Sequence, residues 1–407
     1  MSLHSPPLQS SKKKLFRIGN AALLLTVACG TAEPKDGNLV DASGGAASGG
    51  TASGGTASGG TASGGAASSG GMDSSGSSGG ADSNSGGTSS SEACHKAGDA
   101  GYLTTRLPCL LSETGLYQQD METLADGVHP FQPAFPLWTD SAEKRRWITL
   151  PAATKIDTSE QDYWVFPAGT KLWKEFSRDN VRVETRLIEK QESGAWFMVA
   201  YQWRSDLSDA DAVPNGVIDA SGTDHDIPDS DMCMKCHGQQ PDKVLGFSAI
   251  QLSAELENAS DTNAWNLDRL IAADLLSAPP TEPISVPGTE IERAFFGYVH
   301  ANCGHCHNPR GAANMQNGLD LWLKVADLAL PVTEFSVYQG IVNQDIVWLD
   351  SGRPAATKRI AAGSLEDSAI YQRFVTKGET WSMPQLGSEL TDPSGKQIME
   401  DWILSLD

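Results

Sequence analysis

The sequence is short of positive charge, and its N-terminal apolar run is too short to cross a bilayer. Arginine and lysine total 30 against 51 acidic residues, and the net charge of −21 makes nucleic acid and anionic membrane surfaces poor partners. The run ending at Ala28 holds roughly 11 apolar and small residues, about half of what a membrane-spanning helix needs. Because Lys12, Lys13, Lys14 and Arg17 precede it, residues 1–28 are predicted to be an export signal.

Residues 41–91 lack large apolar side chains, apart from Met72, and repeat Gly-Gly-Thr-Ala-Ser. Burial in such a segment cannot offset the entropy of ordering it. Residues 29–92 are therefore predicted to be a flexible tether. It follows the string LTVACG (residues 25–30), which resembles a bacterial lipobox. The resemblance implies acylation of Cys29, and Gly30 after it implies the outer membrane. An ordinary signal peptide with an unmodified Cys29 is the alternative, because Thr26 replaces the usual aliphatic residue.

The chain has seven cysteines, and four of them lie in two Cys-x-x-Cys-His strings. With Cys29 assigned to the anchor, Cys94 and Cys109 remain as an even pair in an exported chain. We expect a disulfide between them, worth about 3 kcal/mol, rather than two free thiols in an oxidising compartment.

Each Cys-x-x-Cys-His string supplies two thiols for thioether bonds to haem and an adjacent imidazole for iron. A zinc ribbon would need closer pairs, and neither thioredoxin-like chemistry nor two structural disulfides would explain the histidines. We therefore expect two covalently bound haem c groups, with His237 and His307 as iron ligands. The strings are Cys233-Met234-Lys235-Cys236-His237 and Cys303-Gly304-His305-Cys306-His307.

The second string stands between two predicted helices. Apolar residues at helical spacing occupy residues 291–300, and a closing helix is expected after Asp392 as N-cap and Pro393 at its first position. Its apolar face is read from Ile398, Trp402 and Leu406. Between string and helix lies Met383-Pro384.

This order resembles that of class I cytochromes c. The resemblance implies that His307 is the proximal ligand and Met383 the distal one; a core role for Met383 is the alternative. We expect His305 to face solvent and the Pro309 carbonyl to orient the ring of His307.

The first string has no comparable methionine after it. Its sixth iron ligand is left open, as is the alternative of an open coordination position that would permit enzymatic chemistry. The candidates for the sixth ligand are Met198, His225, Met232, His129, His300 and Lys243.

The region before the first string is rich in β-branched and aromatic residues punctuated by turn signals. It predicts a small antiparallel sheet, packed either as a sandwich or against the haem region. The predicted strands cover residues 147–150, 163–166, 171–176, 181–188 and 195–203.

Seven strings resemble those of a family of bacterial exported dihaem c-type cytochromes with a β-rich N-terminal part, over about residues 109–407. They are FPLWTDSAEKRRWITLP (135–151), FPAGTKLWKEF (166–176), ETRLIEK (184–190), YQWRSDLSDA (201–210), IPDSDMCMKCHG (227–238), LGFSAIQLS (245–253) and ANCGHCHNPRG (301–311). The resemblance implies haem binding and electron transfer. The expected architecture is α+β and multidomain: a sandwich-like β-rich domain (93–220), a first haem region (221–287) and a mostly helical, class I-like cytochrome c domain (288–407).

The leading hypothesis is an electron carrier of the cell envelope, lipid-anchored and periplasmic or surface-facing, whose redox partners carry basic docking surfaces. A peroxidase-like enzyme using an open first haem is the alternative, although no catalytic residue is assigned. A third hypothesis makes the β-rich region a carbohydrate- or partner-binding module.

Overall fold

A computed structural model describes residues 108–253, 263–347 and 355–407. The predicted export signal, the tether with Cys29, and Cys94 lie outside the described residues. The described part falls within one compact unit, residues 84–407, and mixes an antiparallel sheet with helices. This confirms the expected α+β class. Within the described residues, no helix combines the length and apolar character needed to cross a membrane.

A six-stranded antiparallel sheet forms the β-rich part, with its strands in chain order. Its middle strands alternate between two sets of side chains, as strands covered on both faces require. The strands are β1 (His129–Pro130), β2 (Glu143–Thr149), β3 (Lys171–Arg178), β4 (Val181–Lys190), β5 (Trp196–Trp203) and β6 (Ala210–Ala212).

The two faces of this sheet pack against different partners. One face carries Trp147, Trp173 and Tyr201 and is covered by the segment around Leu111 and Leu116. The other face contributes apolar side chains to a core shared with the helical part of the chain, among them Ile148, Leu172, Trp196 and Met198. Of the two expected packings, a sandwich requires a second sheet, and the described residues contain only this one. The sheet packs instead against the region that holds the Cys-x-x-Cys-His strings.

Four of the five predicted strands are confirmed, with ends shifted by a few residues. Residues 163–166 are not a strand, because Val165 makes only an isolated bridge with Asp157. The backbone N–H of Phe166 donates instead to the Asp242 carboxylate, 2.5 Å away. Lys190 donates to the same carboxylate at 2.7 Å, so this segment is held by buried polar contacts rather than by a ladder.

The helices follow the sheet. Two of them, α3 and α7, cross at Phe295 and Trp402, whose rings stack at 3.6 Å. Both confirm predicted helices, and Asp392 caps α7 by accepting from the Ser394 N–H. The helices are α1 (Ser230–His237), α2 (Leu267–Ala272), α3 (Glu290–Asn302), α4 (Ala312–Asn317), α5 (Ser336–Ile341), α6 (Ala369–Val375) and α7 (Pro393–Ser405).

Candidate functional site

The first string lies on α1. Asp229 caps this short helix by accepting from the Met232 N–H at 2.9 Å, which fixes where the helix starts. Cys233 and Cys236 are therefore one turn apart on the same face, as i and i+3 positions are. His237 is the last residue of the helix. The helix thus presents two thiols and an imidazole together.

A backbone carbonyl orients the ring of His237. Its Nδ1 lies 2.5 Å from the Lys243 carbonyl oxygen, so Nδ1 carries the proton and Nε2 is left with its lone pair. Burial lowers the pKa of His237 to about 4. A neutral imidazole held through its far nitrogen is the form in which histidine binds metals. Lys243, a candidate ligand from the sequence, thus contributes its carbonyl to this site.

The second string follows α3 directly. Thr289 and Glu292 form a capping box that starts this helix, and the Cys303 N–H still bonds to the Val299 carbonyl at 2.9 Å. His307 is buried, and burial lowers its pKa to about 4. The expected contact with the Pro309 carbonyl is not made, and the Leu319 backbone is the main-chain group that acts on this imidazole, opposing the lowering of its pKa.

The turn between Cys303 and Cys306 needs glycine at its centre. A Cβ on Gly304 would lie 2.7 Å from the His300 carbonyl oxygen and 2.9 Å from that of Leu321. Both obstacles are backbone atoms, which cannot move aside cheaply. Gly304 therefore allows the string to fold tightly against the end of α3.

The two strings meet in space. Ligand atoms of Cys236, Cys306 and His305 all lie within 4.8 Å of one another. A hydrogen bond between the two thiols lowers the pKa of Cys236 and raises that of Cys306. His305, which is hydrogen-bonded to Cys236, lowers the pKa of Cys236 further. Gln240 adds a contact between the strings, since its Nε2 lies 3.4 Å from the His305 carbonyl oxygen.

The sequence led us to expect that His305 faces solvent, and this is wrong in part. Its ring is half-buried, and Nδ1 lies 3.3 Å from the Ala301 carbonyl oxygen, one turn back along α3. The reason is the contact between strings, because the neighbouring helix α1 covers the position that solvent would occupy. The spacing within one string carries no signal for that long-range contact.

Met383 is half-buried, and its N–H donates to the Arg373 carbonyl oxygen at 2.8 Å. The Arg373 guanidinium is close enough to His307 to help burial lower the pKa of that imidazole. The loop that carries Met383 is therefore tied to a residue beside the second string. Its role as distal ligand stays a prediction.

Three of the candidate sixth ligands of the first string, His225, His129 and Met198, have other contacts. His225 Nε2 lies 2.7 Å from Glu184 Oε1, and His129 stacks on Trp265 at 4.0 Å. Met198 is buried in the shared core. His300 is buried with its Nδ1 unpaired, and burial lowers its pKa to about 3.

Sequence reasoning missed a row of basic side chains on the sheet beside the first string. Arg186 lies near enough to Cys233 and Cys236 for these thiols to affect its pKa, and Lys174 helps burial lower the pKa of His237. Arg146 is paired across the sheet with Lys174. The sequence predicts that these three basic residues lie on strands, but it does not show that α1 packs on the face of the sheet that carries them.

The predicted Cys94–Cys109 disulfide is only half within the described residues. Cys109 is disulfide-bonded. Its expected partner Cys94 lies outside the described part, so the pairing stays a prediction. The free thiols among the described residues are those of the two strings.

Comparisons with known proteins give no relative: no protein-family model, no curated protein and no solved structure matches this chain.

Proposed function

We propose that this chain is a dihaem c-type cytochrome that carries electrons in the cell envelope. The observation that supports it best is the meeting of two complete Cys-x-x-Cys-His strings, with Cys236, Cys306 and His305 within 4.8 Å. Groups attached to these thiols would have neighbouring edges, which suits electron transfer between them. In this proposal the helical part, residues 221–407, is the cytochrome region.

The residues present fit haem c. In each string two thiols stand one turn apart beside a neutral histidine, half-buried at His237 and buried at His307, and the thiols are free to form thioethers. The chemistry that haem supplies when bound is a reversible one-electron change at iron. His237 binds through Nε2 while the Lys243 carbonyl holds its Nδ1 proton. His307 would bind the second iron from a buried position.

The first experiment counts haem. The exported chain is produced in a bacterium that matures c-type cytochromes, and the protein is measured by intact mass and by haem absorbance after denaturation. We expect two covalent haems per chain, one in C233A/C236A and one in C303A/C306A. A chain without covalent haem, or one whose count is unaffected by these changes, would reject the proposal.

A second experiment tests Met383 as the distal ligand of the second haem. The oxidised protein should show the weak far-red absorption band of a thioether bound to iron, with the intensity of one such site per two haems. Met383→Ala should abolish the band and lower that haem's reduction potential, because the neutral thioether favours reduced iron. The exposed Met234 provides the control, since Met234→Ala should keep the band.

The peroxidase-like alternative is favoured by one feature of the structure. His225 and Arg186 both contact the buried Glu184, with Arg186 Nη2 2.5 Å from Glu184 Oε1 and the first string's thiols nearby. A histidine and an arginine beside an open iron could assist peroxide cleavage. Carbon monoxide binding to the reduced protein, followed by peroxide turnover, tests it; no binding at either haem excludes the open-iron enzyme.

The location and partners are part of the same proposal. Acylation of Cys29 would attach the chain to the outer membrane through the tether of residues 29–92. The net charge of −21 suits redox partners with basic docking surfaces. Mass analysis of the mature N-terminus tests the anchor, because a diacylglyceryl-cysteine adds a lipid mass that Cys29→Ala removes.

A further inference from the structure

Three basic side chains lie in register across the middle of the sheet, on the face that packs against the first string. Arg146 of β2 pairs with Lys174 of β3, and Lys174 pairs in turn with Arg186 of β4. Lys144 lies two residues from Arg146 on β2 and therefore on the same face. The Phe176 ring lies 4.8 Å from Lys174 Nζ and 4.3 Å from the Arg186 guanidinium. Like charges directly opposite one another destabilise a sheet, so anions nearby would stabilise this row further.

The protein itself supplies too few of these anions. Glu184 is fully buried, and it is engaged by Arg186 and by His225. Lys144 donates to the Leu137 carbonyl and the Thr139 hydroxyl, while Asp140 and Asp392 lie at longer range. Within the described ranges, neither Arg146 nor Lys174 has a carboxylate at ion-pair distance.

Arg146 and Lys174, which lack a carboxylate partner, are enclosed by protein and yet accessible. Burial lowers the pKa of Arg146 to about 10 and lowers that of Lys174 far below its usual value. Nevertheless both keep part of their surface exposed, as Arg186 does with 28% of its side chain. Side chains that line an internal cleft combine these two properties.

The basic row extends away from the first string, from Arg186 to Arg146. Arg186 interacts with Cys233, Cys236 and His237, and Lys174 interacts with His237. Arg146 lies one strand further on. Adjacent strands are about 4.8 Å apart, so Arg146 lies about 10 Å from Arg186. That distance is comparable to the width of a porphyrin ring. A haem attached at these cysteines and held by His237 would place its thioether edge near Arg186, and Arg146 would be within reach of the opposite edge, which carries the two propionates.

We propose that Arg146 and Lys174, with Lys144 beside them, bind the propionate carboxylates of the haem attached at Cys233 and Cys236. This inference rests on the proposed function and assigns to the β-sheet a role in holding and tuning the first haem. Guanidinium and ammonium groups form strong charge-assisted hydrogen bonds with carboxylates, and more so in a cleft that excludes water. Their positive charge also favours the reduced iron, so it raises that haem's reduction potential.

The test measures both reduction potentials in the intact chain by spectroelectrochemistry. Arg146→Leu and Lys174→Met should each shift the potential of the first haem downward and leave that of the second unchanged; C233A/C236A identifies which wave belongs to the first haem. Arg146→Lys, which keeps the charge, should retain most of the wild-type value. Lys155→Met is the matched control, because it removes one positive charge from an exposed pair with Asp274 and should shift neither potential.

A second arm distinguishes propionates from a dissolved anion as the occupant. Wild-type protein is titrated with inorganic phosphate at constant ionic strength. We expect no saturable change in the first potential; a saturable change would show that the row is open to soluble anions and would overturn the assignment. Equal shifts in Arg146→Leu and Lys155→Met, or two haems with unchanged potentials, would overturn it as well. A wild-type chain without covalent haem would overturn the proposed function together with this inference.

Discussion

Gly304 shows how a single missing side chain shapes the second string. A Cβ here would lie 2.7 Å and 2.9 Å from two backbone carbonyl oxygens, so Gly304→Ala must displace the string from α3. We expect Gly304→Ala to lower the free energy of unfolding by about 1–3 kcal/mol, as overpacking does. We also expect the number of covalent haems per chain to fall from two to one, the haem at the first string. Thermal denaturation and haem content measure the two effects.

Gly340 provides the comparison for that change. It lies in α5, and a Cβ there would meet nothing within 4 Å. Gly340→Ala should be neutral or stabilise by up to about 1 kcal/mol, because alanine favours helix. If both variants behaved alike, the close approach of the string to α3 would not be what requires glycine at residue 304.

Asp162 gives the fold a pH dependence of known sign. Burial raises its pKa from 3.8 to about 6, while Oδ1 accepts from the Val325 N–H at 2.8 Å. Because the folded state holds this proton more tightly than the unfolded state, Asp162 lowers stability as the pH rises through that interval. Asp162→Asn keeps an oxygen that can accept from the Val325 N–H, and it should stabilise the folded protein at pH 7 by about 1–2 kcal/mol. This value is smaller than the full pKa shift would give, because the side chain is partly exposed to solvent.

Denaturant unfolding at two pH values checks this prediction. At pH 3 the carboxyl is protonated in both states, so Asp162→Asn should leave stability unchanged there. Asp157 is the matched control, since hydrogen bonds from Ser159 and Ser277 lower its pKa and Asp157→Asn should not stabilise at pH 7. A gain for Asp162→Asn that is equal at both pH values would show that burial of the charge is not its cause.

At the scale of elements, the packing of α7 on α3 holds the second string in place. Trp402 is fully buried and stacks on Phe295, and α3 runs directly into Cys303. Trp402→Ala should cost about 3–5 kcal/mol. It should also weaken the far-red thioether band, because the string and the Met383 loop lose their common support.

Leu404 lies on the same helix and is 58% exposed. Leu404→Ala should change stability by less than about 0.5 kcal/mol and should keep the band, as surface substitutions do. Urea titration and absorbance spectra compare the two variants. Should Trp402→Ala lose stability but keep the full band, α7 would stabilise the fold without positioning the ligand loop.

The elements that the sequence predicted well are those with local signals. Asp392 and Pro393 mark the start of α7 through a cap and a fixed φ, and the alternation in β3 and β4 follows from burial on two faces. Residues 163–166 look like a strand by composition alone. Their backbone is instead satisfied by Asp242, a partner far along the chain that no local pattern shows.

In the candidate site, too, local sequence patterns predict some features and long-range packing determines the others. The spacing of each string predicts two thiols beside an imidazole, and α1 shows that arrangement. The contact of Cys236 with Cys306 and the position of the basic row at Arg146 and Lys174 depend on how α1 packs between the sheet and the second string. Such packing joins residues of high sequence separation, for which neither periodicity nor capping carries a signal.

For the whole molecule, the excess of 51 acidic over 30 basic residues predicts how the proposed electron transfer would respond to salt. The reduced protein should transfer electrons to a cationic metal complex at a rate that falls as ionic strength rises, because screening weakens the attraction. An anionic oxidant should show the opposite dependence, and a neutral one almost none. Stopped-flow measurements with the three oxidants would contradict this prediction if all gave the same salt slope.

If each string carries a haem, as proposed, the meeting of the two strings predicts that the two irons interact magnetically as well as electrically. Cys236 and Cys306 belong to different strings yet lie within 4.8 Å of each other, so two oxidised haems attached there have adjacent edges. The electron paramagnetic resonance spectrum of the oxidised wild-type protein should therefore show spin–spin broadening. C233A/C236A and C303A/C306A should each give an unbroadened signal, and their sum should differ from the wild-type spectrum. A wild-type spectrum equal to that sum would place the haems apart, and the contact between the strings could then not be the route by which electrons pass from one haem to the other.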